Sequence, residues 1–99
     1  MSNFRNAETD ALLEAILSME NTEELYQFLE DVCTIKEIRE MAQRFHVARL
    51  LNSGQNYQEV NKQTSVSTAT ICRVNKCLNY GTGGYLTAIN RIKKEGQNS

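Results

Sequence analysis

The sequence predicts an all-α protein of six helices, and three observations carry that prediction. Its 99 residues contain no proline, so nothing forbids helical backbone angles over long runs. Residues that cap helices recur between apolar stripes with the i, i+4 spacing of a helix. Runs with Val, Ile and Thr do occur, but the caps interrupt them before a strand develops. A chain of this length suits one domain, and 40% hydrophobic with 23% charged residues is an ordinary composition for a folded soluble protein.

Each element has its own local reason. Residues 1–8 read as a disordered tail, after which Thr9 is the expected cap of a first helix carrying Leu12, Leu13, Ile16 and Leu17 as an apolar stripe. Asn21, followed by Glu24, opens a second helix with Leu25, Phe28, Leu29 and Val32 along one side. Both are expected to be surface helices docked on a core. Thr34 with Glu37 forms a capping box, in which the hydroxyl accepts from a free backbone N–H while the carboxylate reaches back to the cap.

That box opens the longest helix, about 35–52, where Ile35, Ile38, Met41, Ala42, Phe45, Ala48 and Leu51 make a wide apolar face. Gly54 is the expected stop, because a left-handed residue after a helix is least strained as glycine. Asn56 with Glu59 repeats the box and opens a helix at about 57–64, and Ser67 caps another at about 68–79. The run Gly81-Thr-Gly-Gly84 breaks the pattern. Tyr85, Leu86, Ala88, Ile89 and Ile92 mark a last helix, ending in Lys93 and Lys94 beside the negative end of its dipole, and 96–99 read as a second disordered tail.

Charge is divided unevenly. Residues 1–40 hold ten acids against Arg5, Lys36 and Arg39, a formal -7, whereas residues 41–99 hold eight cations against Glu59 and Glu95, a formal +6. The net -1 therefore conceals a C-terminal half suited to a polyanion. Several other classes are excluded or weakened. No window of eighteen apolar residues exists for a membrane span, and the N-terminus lacks the basic and apolar regions of a secretory signal, so a cytoplasmic protein is expected. Cys33, Cys72 and Cys77 make no CxxC pair and lie far from the single histidine, His46, which argues against zinc. His46 has no acid spaced to orient it as a base, so an enzyme is not expected. Gly-rich 81–84 lacks the lysine and serine of a phosphate loop.

The segment SVSTATICRVNK, 65–76, carries two cations and no acid. It fits the second half of a helix-turn-helix: Val60, Val66, Ile71 and Val74 are spaced to pack on each other and on the long helix, leaving Thr68, Ala69, Thr70 and Arg73 outward. A helix entering the major groove must bring its first turn close to base edges, and small hydroxyl and methyl side chains permit that approach. Lys62, Arg73 and Lys76 supply charge, and Tyr57 is a candidate phosphate contact. The candidate DNA-facing set over a reading head at about 56–79 is thus Asn56, Tyr57, Gln58, Asn61, Lys62, Ser67, Thr68, Ala69, Thr70, Arg73 and Lys76.

The pattern Glu59-Val60 through Ser65-Val66-Ser67 to Thr70-Ile71-Cys72-Arg73 resembles helix-turn-helix repressors. The usual turn glycine is here Ser65, and the usual small residue of the first helix is Asn61. ATICR at 69–73, preceded by Thr34-Ile-Lys-Glu37, Arg44, Leu50-Leu51, Gly54 and Gln58-Glu59-Val60, is similar to the Trp repressor family, and most of all to its YerC/YecD group. The resemblance is dense from about 33 to 80. It implies an intertwined all-helical homodimer that binds a pseudo-palindromic operator of double-stranded DNA, with repression of an amino-acid operon as the family's habit.

The resemblance also implies an amino-acid corepressor site. Its matching positions are Thr34, Arg44, Arg73, Val74 and Cys77, of which Val74 stands for a family glycine and Cys77 for a serine. A valine adds three carbons where an indole ring would lie, and the lost hydroxyl removes a hydrogen-bonding group, so both exchanges count against tryptophan. Arg44 also stands four residues after Glu40, the spacing of an intrahelical ion pair. The rival to the DNA reading is a helical protein-protein interaction module, which the low overall charge favours.

Overall fold

A computed structural model describes residues 4–98, with side chains through Lys93. Six helices follow one another: α1 (Ala7–Ser18), α2 (Thr22–Val32), α3 (Ile35–Asn52), α4 (Tyr57–Thr64), α5 (Thr68–Tyr80) and α6 (Gly84–Asn98). The chain divides into two compact units, Met1–Ile38 and Arg39–Ser99.

In the N-terminal unit the caps set the helix boundaries. Asn6, and not the expected Thr9, caps α1: its side chain accepts from the Thr9 N–H at 2.9 Å. Both residue types can cap, but with Asn6 at the cap Thr9 is already the third helical residue, and its hydroxyl donates to the Phe4 carbonyl at 2.6 Å. Ala7 and Glu8 are therefore helical, while residues 1–3 of the expected tail lie outside the described residues. Asn21 caps α2 as expected, accepting from the Glu24 N–H at 2.9 Å. Thr34 and Glu37 complete their reciprocal box at 3.0 and 2.8 Å.

Neither α1 nor α2 contains a buried residue, and Leu17 is 84% exposed. The wide face of α3 is fully buried only toward its C-terminal end. Ile35 and Met41 are exposed, and the buried residues are Ala48 and Val47, the latter outside the expected face.

The C-terminal unit has a continuous core of Val47, Ala48, Val60, Val66, Ile71, Val74, Leu78 and Ile89, with Phe45, Leu50, Leu51, Tyr57 and Tyr85 packed against it. Ile71, Val47, Val60 and Val74 are the largest side chains fully removed from water, each stabilising by roughly 1.5–3 kcal/mol. Between α3 and α4, Gly54 takes φ +105°. Its N–H donates to the Leu51 carbonyl and that of Gln55 to Leu50, at 3.0 and 3.3 Å, which satisfies carbonyls the helix leaves open.

At the other junction Gly81 caps α5, which ends at Tyr80, one residue beyond the expected end. The last helix begins at Gly84 and runs to Asn98, so 96–98 continue it instead of forming a tail, and Ser99 lies outside the described residues. Lys93 and Lys94 consequently fall short of its final turn, contrary to the expected dipole pairing.

Candidate nucleic-acid interface

The reading head is assembled from α4, α5 and the three residues between them. Asn56 caps α4, accepting from Glu59 N–H at 2.9 Å while the Glu59 carboxylate accepts from Asn56 N–H at 2.8 Å. This keeps the one acid of the head folded back on its own backbone. In the turn, Ser65 adopts φ 62° and ψ 14°, a left-handed conformation where helix-turn-helix proteins ordinarily place glycine. The turn is held by two side chains of α4. Thr64 donates its hydroxyl to the Val60 carbonyl at 2.7 Å and accepts from Val66 N–H at 3.1 Å. Asn61 donates its amide to the Val66 carbonyl at 2.7 Å.

Ser67 caps α5, accepting from Thr70 N–H at 3.2 Å and donating to the Thr70 hydroxyl at 3.1 Å. Ile71, Val74 and Leu78 then point one side of α5 into the core. The opposite side carries Thr68, Ala69, Arg73 and Lys76, all exposed, with Thr70 half-buried at the edge. No acid occurs anywhere in α5. Lys62 on α4 is exposed as well.

Of the expected contact set, Asn56 and Gln58 stand exposed at the start of α4, although the Asn56 oxygen is committed to its cap. The Asn61 amide likewise serves the turn. Tyr57 is half-buried and packs on the core, with its hydroxyl accepting from the Asn75 amide at 2.9 Å. Local spacing gave no sign of that bond, whose partners lie 18 residues apart.

A groove of about 370 Å³ beside the reading face is lined by Arg44, Thr70, Arg73, Val74, Cys77 and Tyr85. Four of the five expected effector positions, Arg44, Arg73, Val74 and Cys77, thus come together. Thr34 belongs to the other compact unit and is used as a cap. Val74 is only 1% exposed, so its bulk is accommodated in the core and forms a closed floor. Tyr85, which sequence reasoning left out of this site, is held by Phe45, the ring centroids 6.5 Å apart and the planes 21° from parallel. Its position just after the glycine run was the available signal.

Sequence comparison decides the ancestry, because the Trp repressor protein family model matches residues 7–93. The chain belongs to the Trp repressor protein family. It is 46% identical over 94 residues to the uncharacterized protein YerC of Bacillus subtilis (strain 168), covering 95% of this chain and 90% of that protein. The crystal structure of a TrpR-like protein from Eubacterium eligens ATCC 27750 superposes with a TM-score of 0.89 at 42% identity, over 94% of this chain and 96% of that one. A second solved structure, from Staphylococcus aureus, gives a TM-score of 0.88 at 39% identity over 93% and 92%. The six-helix Trp-repressor-like fold with its helix-turn-helix is therefore established, and with it membership of a family of DNA-binding regulators and not of enzymes. Among the described residues no helix is long and apolar enough to cross a membrane, and no group of three or more His, Cys, Asp or Glu could hold a metal. Cys33, Cys72 and Cys77 are free thiols.

Proposed function

We propose that the chain is a sequence-specific transcriptional regulator that binds a pseudo-palindromic operator as a homodimer, inserting the start of α5 into the major groove and repressing an amino-acid biosynthesis operon in the bacterial cytoplasm. The observation that carries this reading is the exposed, acid-free first turn of α5, with Thr68 and Ala69 outward and Arg73 one turn further, on a helix anchored from behind by Ile71, Val74 and Leu78. Small side chains allow close approach, threonine hydroxyls and methyls meet base edges, and Lys62, Arg73 and Lys76 meet phosphates.

Homodimerisation is supported by what the single chain leaves uncovered. Leu12, Leu13, Leu17, Val32, Ile35 and Met41 are all exposed, a quantity of apolar surface that monomers seldom leave wet. On this reading the chain is one domain, with the acidic N-terminal part as dimer body and residues 56–79 as its reading head. Two heads on a two-fold axis would then meet half-sites about one helical turn apart.

The Arg44–Arg73 groove supports a small anionic effector, such as an amino-acid carboxylate, as regulator. Because Thr70 and Arg73 line it and also border the reading face, occupancy there would alter the DNA contacts directly. With Val74 as its floor, the groove favours a ligand less bulky than tryptophan. A second reading, a helical interaction module without DNA binding, is favoured by the net charge of -1.

Salt titration separates the two readings. Affinity for a duplex selected from the organism's own genomic fragments should fall steeply with salt, log affinity against log salt sloping by about -0.9 per phosphate neutralised. Absence of any retention on DNA at low salt would reject regulation through DNA in favour of the interaction module.

A further inference from the structure

The reading head is braced at both ends. Near the turn, the Asn61 amide holds the Val66 carbonyl. At the open end, the Asn75 amide donates to the Tyr57 hydroxyl at 2.9 Å. This bond spans 18 residues of sequence, where the other side-chain hydrogen bonds among the described residues span five or fewer. It is also partly shielded from water, which strengthens it.

Its placement has a simple geometry. Tyr57 stands seven residues before Thr64, the last residue of α4, and Asn75 stands seven residues after Thr68, the first of α5. At 1.5 Å per residue each arm is about 11 Å long. Two equal arms joined at a turn and bridged at their far ends form a triangle, and a triangle with three fixed sides has one angle. The bridge itself is oriented by a third residue. Asn79 donates its amide to the Asn75 carbonyl and to the Asn75 side-chain oxygen, both at 3.0 Å. With its oxygen turned to Asn79, Asn75 presents its N–H group to Tyr57.

Resting on the DNA-binding reading above, we propose that Asn75 and Asn79 are positioning residues that act through the Tyr57 hydroxyl to lock the angle between α4 and α5. That angle sets how well the head tells one base sequence from another, more than how strongly it holds DNA. Phosphate contacts from α4 fix the head on the backbone, and the locked angle then decides where Thr68, Ala69, Thr70 and Arg73 meet base edges. A site of this kind must be held to within about 0.5 Å and 10–20°. None of the three bridging side chains carries a charge, so loosening them releases no counterion.

Competition binding with the full-length chain tests the inference, using the tightest duplex selected from a random pool and a base-scrambled duplex of the same length. Tyr57→Phe keeps the ring on the core and removes only the acceptor, and Asn75→Leu removes the donor. Each should lower the selected-to-scrambled affinity ratio about five- to tenfold, the worth of one hydrogen bond, and Asn75→Leu, which lies outside the expected contact set, should leave scrambled affinity and salt slope unchanged. Combined, the two should lose no more than either alone, because both break one bond. Equal losses on both duplexes, or additive losses in the double variant, would overturn the brace. Helical circular dichroism at the assay temperature confirms folding, and if Asn75→Leu does not fold, Tyr57→Phe carries the test. A wild-type chain that enriches no duplex rejects the DNA reading and this inference with it. A wild type that discriminates, with variants that do so equally well, rejects the brace alone.

Discussion

Asn61 donates its side-chain amide to the main-chain carbonyl of Val66 at 2.7 Å, so a residue of α4 satisfies the turn that follows it. Val66 is 8% exposed, and its carbonyl would otherwise face little water. A departure from the small residue usual at this place thereby becomes a structural part of the head.

Replacing Asn61 by alanine should destabilise the protein by about 1–3 kcal/mol, the cost of leaving a poorly hydrated carbonyl without a donor. Chemical denaturation of wild type and variant measures this, and a change below about 0.5 kcal/mol would show that water replaces the amide.

Ser65 sits at φ 62°, a region that costs a residue with a side chain roughly 1–2 kcal/mol relative to glycine. Ser65→Gly should raise the melting temperature by several degrees, as expected for about 1 kcal/mol in a domain of this size. A lower melting temperature would mean that the added freedom of the unfolded chain outweighs the relieved strain.

Val74→Gly restores the residue usual in the family, yet it removes a side chain only 1% exposed from a helix interior. The loss of packing and of helix propensity together should cost about 2–4 kcal/mol. Thermal unfolding reads the cost. Isothermal titration with tryptophan, run on Val74→Gly with Cys77→Ser, should show stronger uptake than wild type if the groove floor is what excludes the indole ring.

Arg73→Ala and Thr70→Ala should each weaken binding to the selected duplex by about 1–3 kcal/mol if the residue reads a base. Arg73→Ala should also flatten the salt slope by about one phosphate contact if it meets the backbone instead. Unchanged affinity in a gel-shift titration would remove the residue from the interface.

Gly81 caps α5, and a Cβ there would collide with the backbone carbonyl of Cys77. Gly81→Ala should therefore destabilise by more than about 1 kcal/mol. A melting curve that superposes on wild type would show that the junction before α6 yields without cost.

The helix boundaries legible in the sequence were those set by chemistry within three or four residues. Thr34, Asn56 and Ser67 each bond to the backbone just ahead of them, so the starts of α3, α4 and α5 could be read directly. The start of α1 was read at Thr9, and the cap three residues earlier at Asn6 was missed. The buried side of the reading head was equally legible, because Val60, Val66, Ile71 and Val74 follow helical periodicity across a short turn. What stayed hidden depends on tertiary neighbours. Val47 is buried beside Ala48 although the apolar face of α3 was drawn without it. Tyr57 finds Asn75 only after two helices fold together, and Tyr85 reaches the arginine groove from a helix beyond the glycine run.

With no side chain buried in α1 or α2, this portion has no interior of its own to melt. If a second copy supplies the cover, as proposed above, dilution would act on these helices as heating acts on a conventional core, loosening them before the valine-lined head. Protein level in the cell would in that case govern shape as well as abundance.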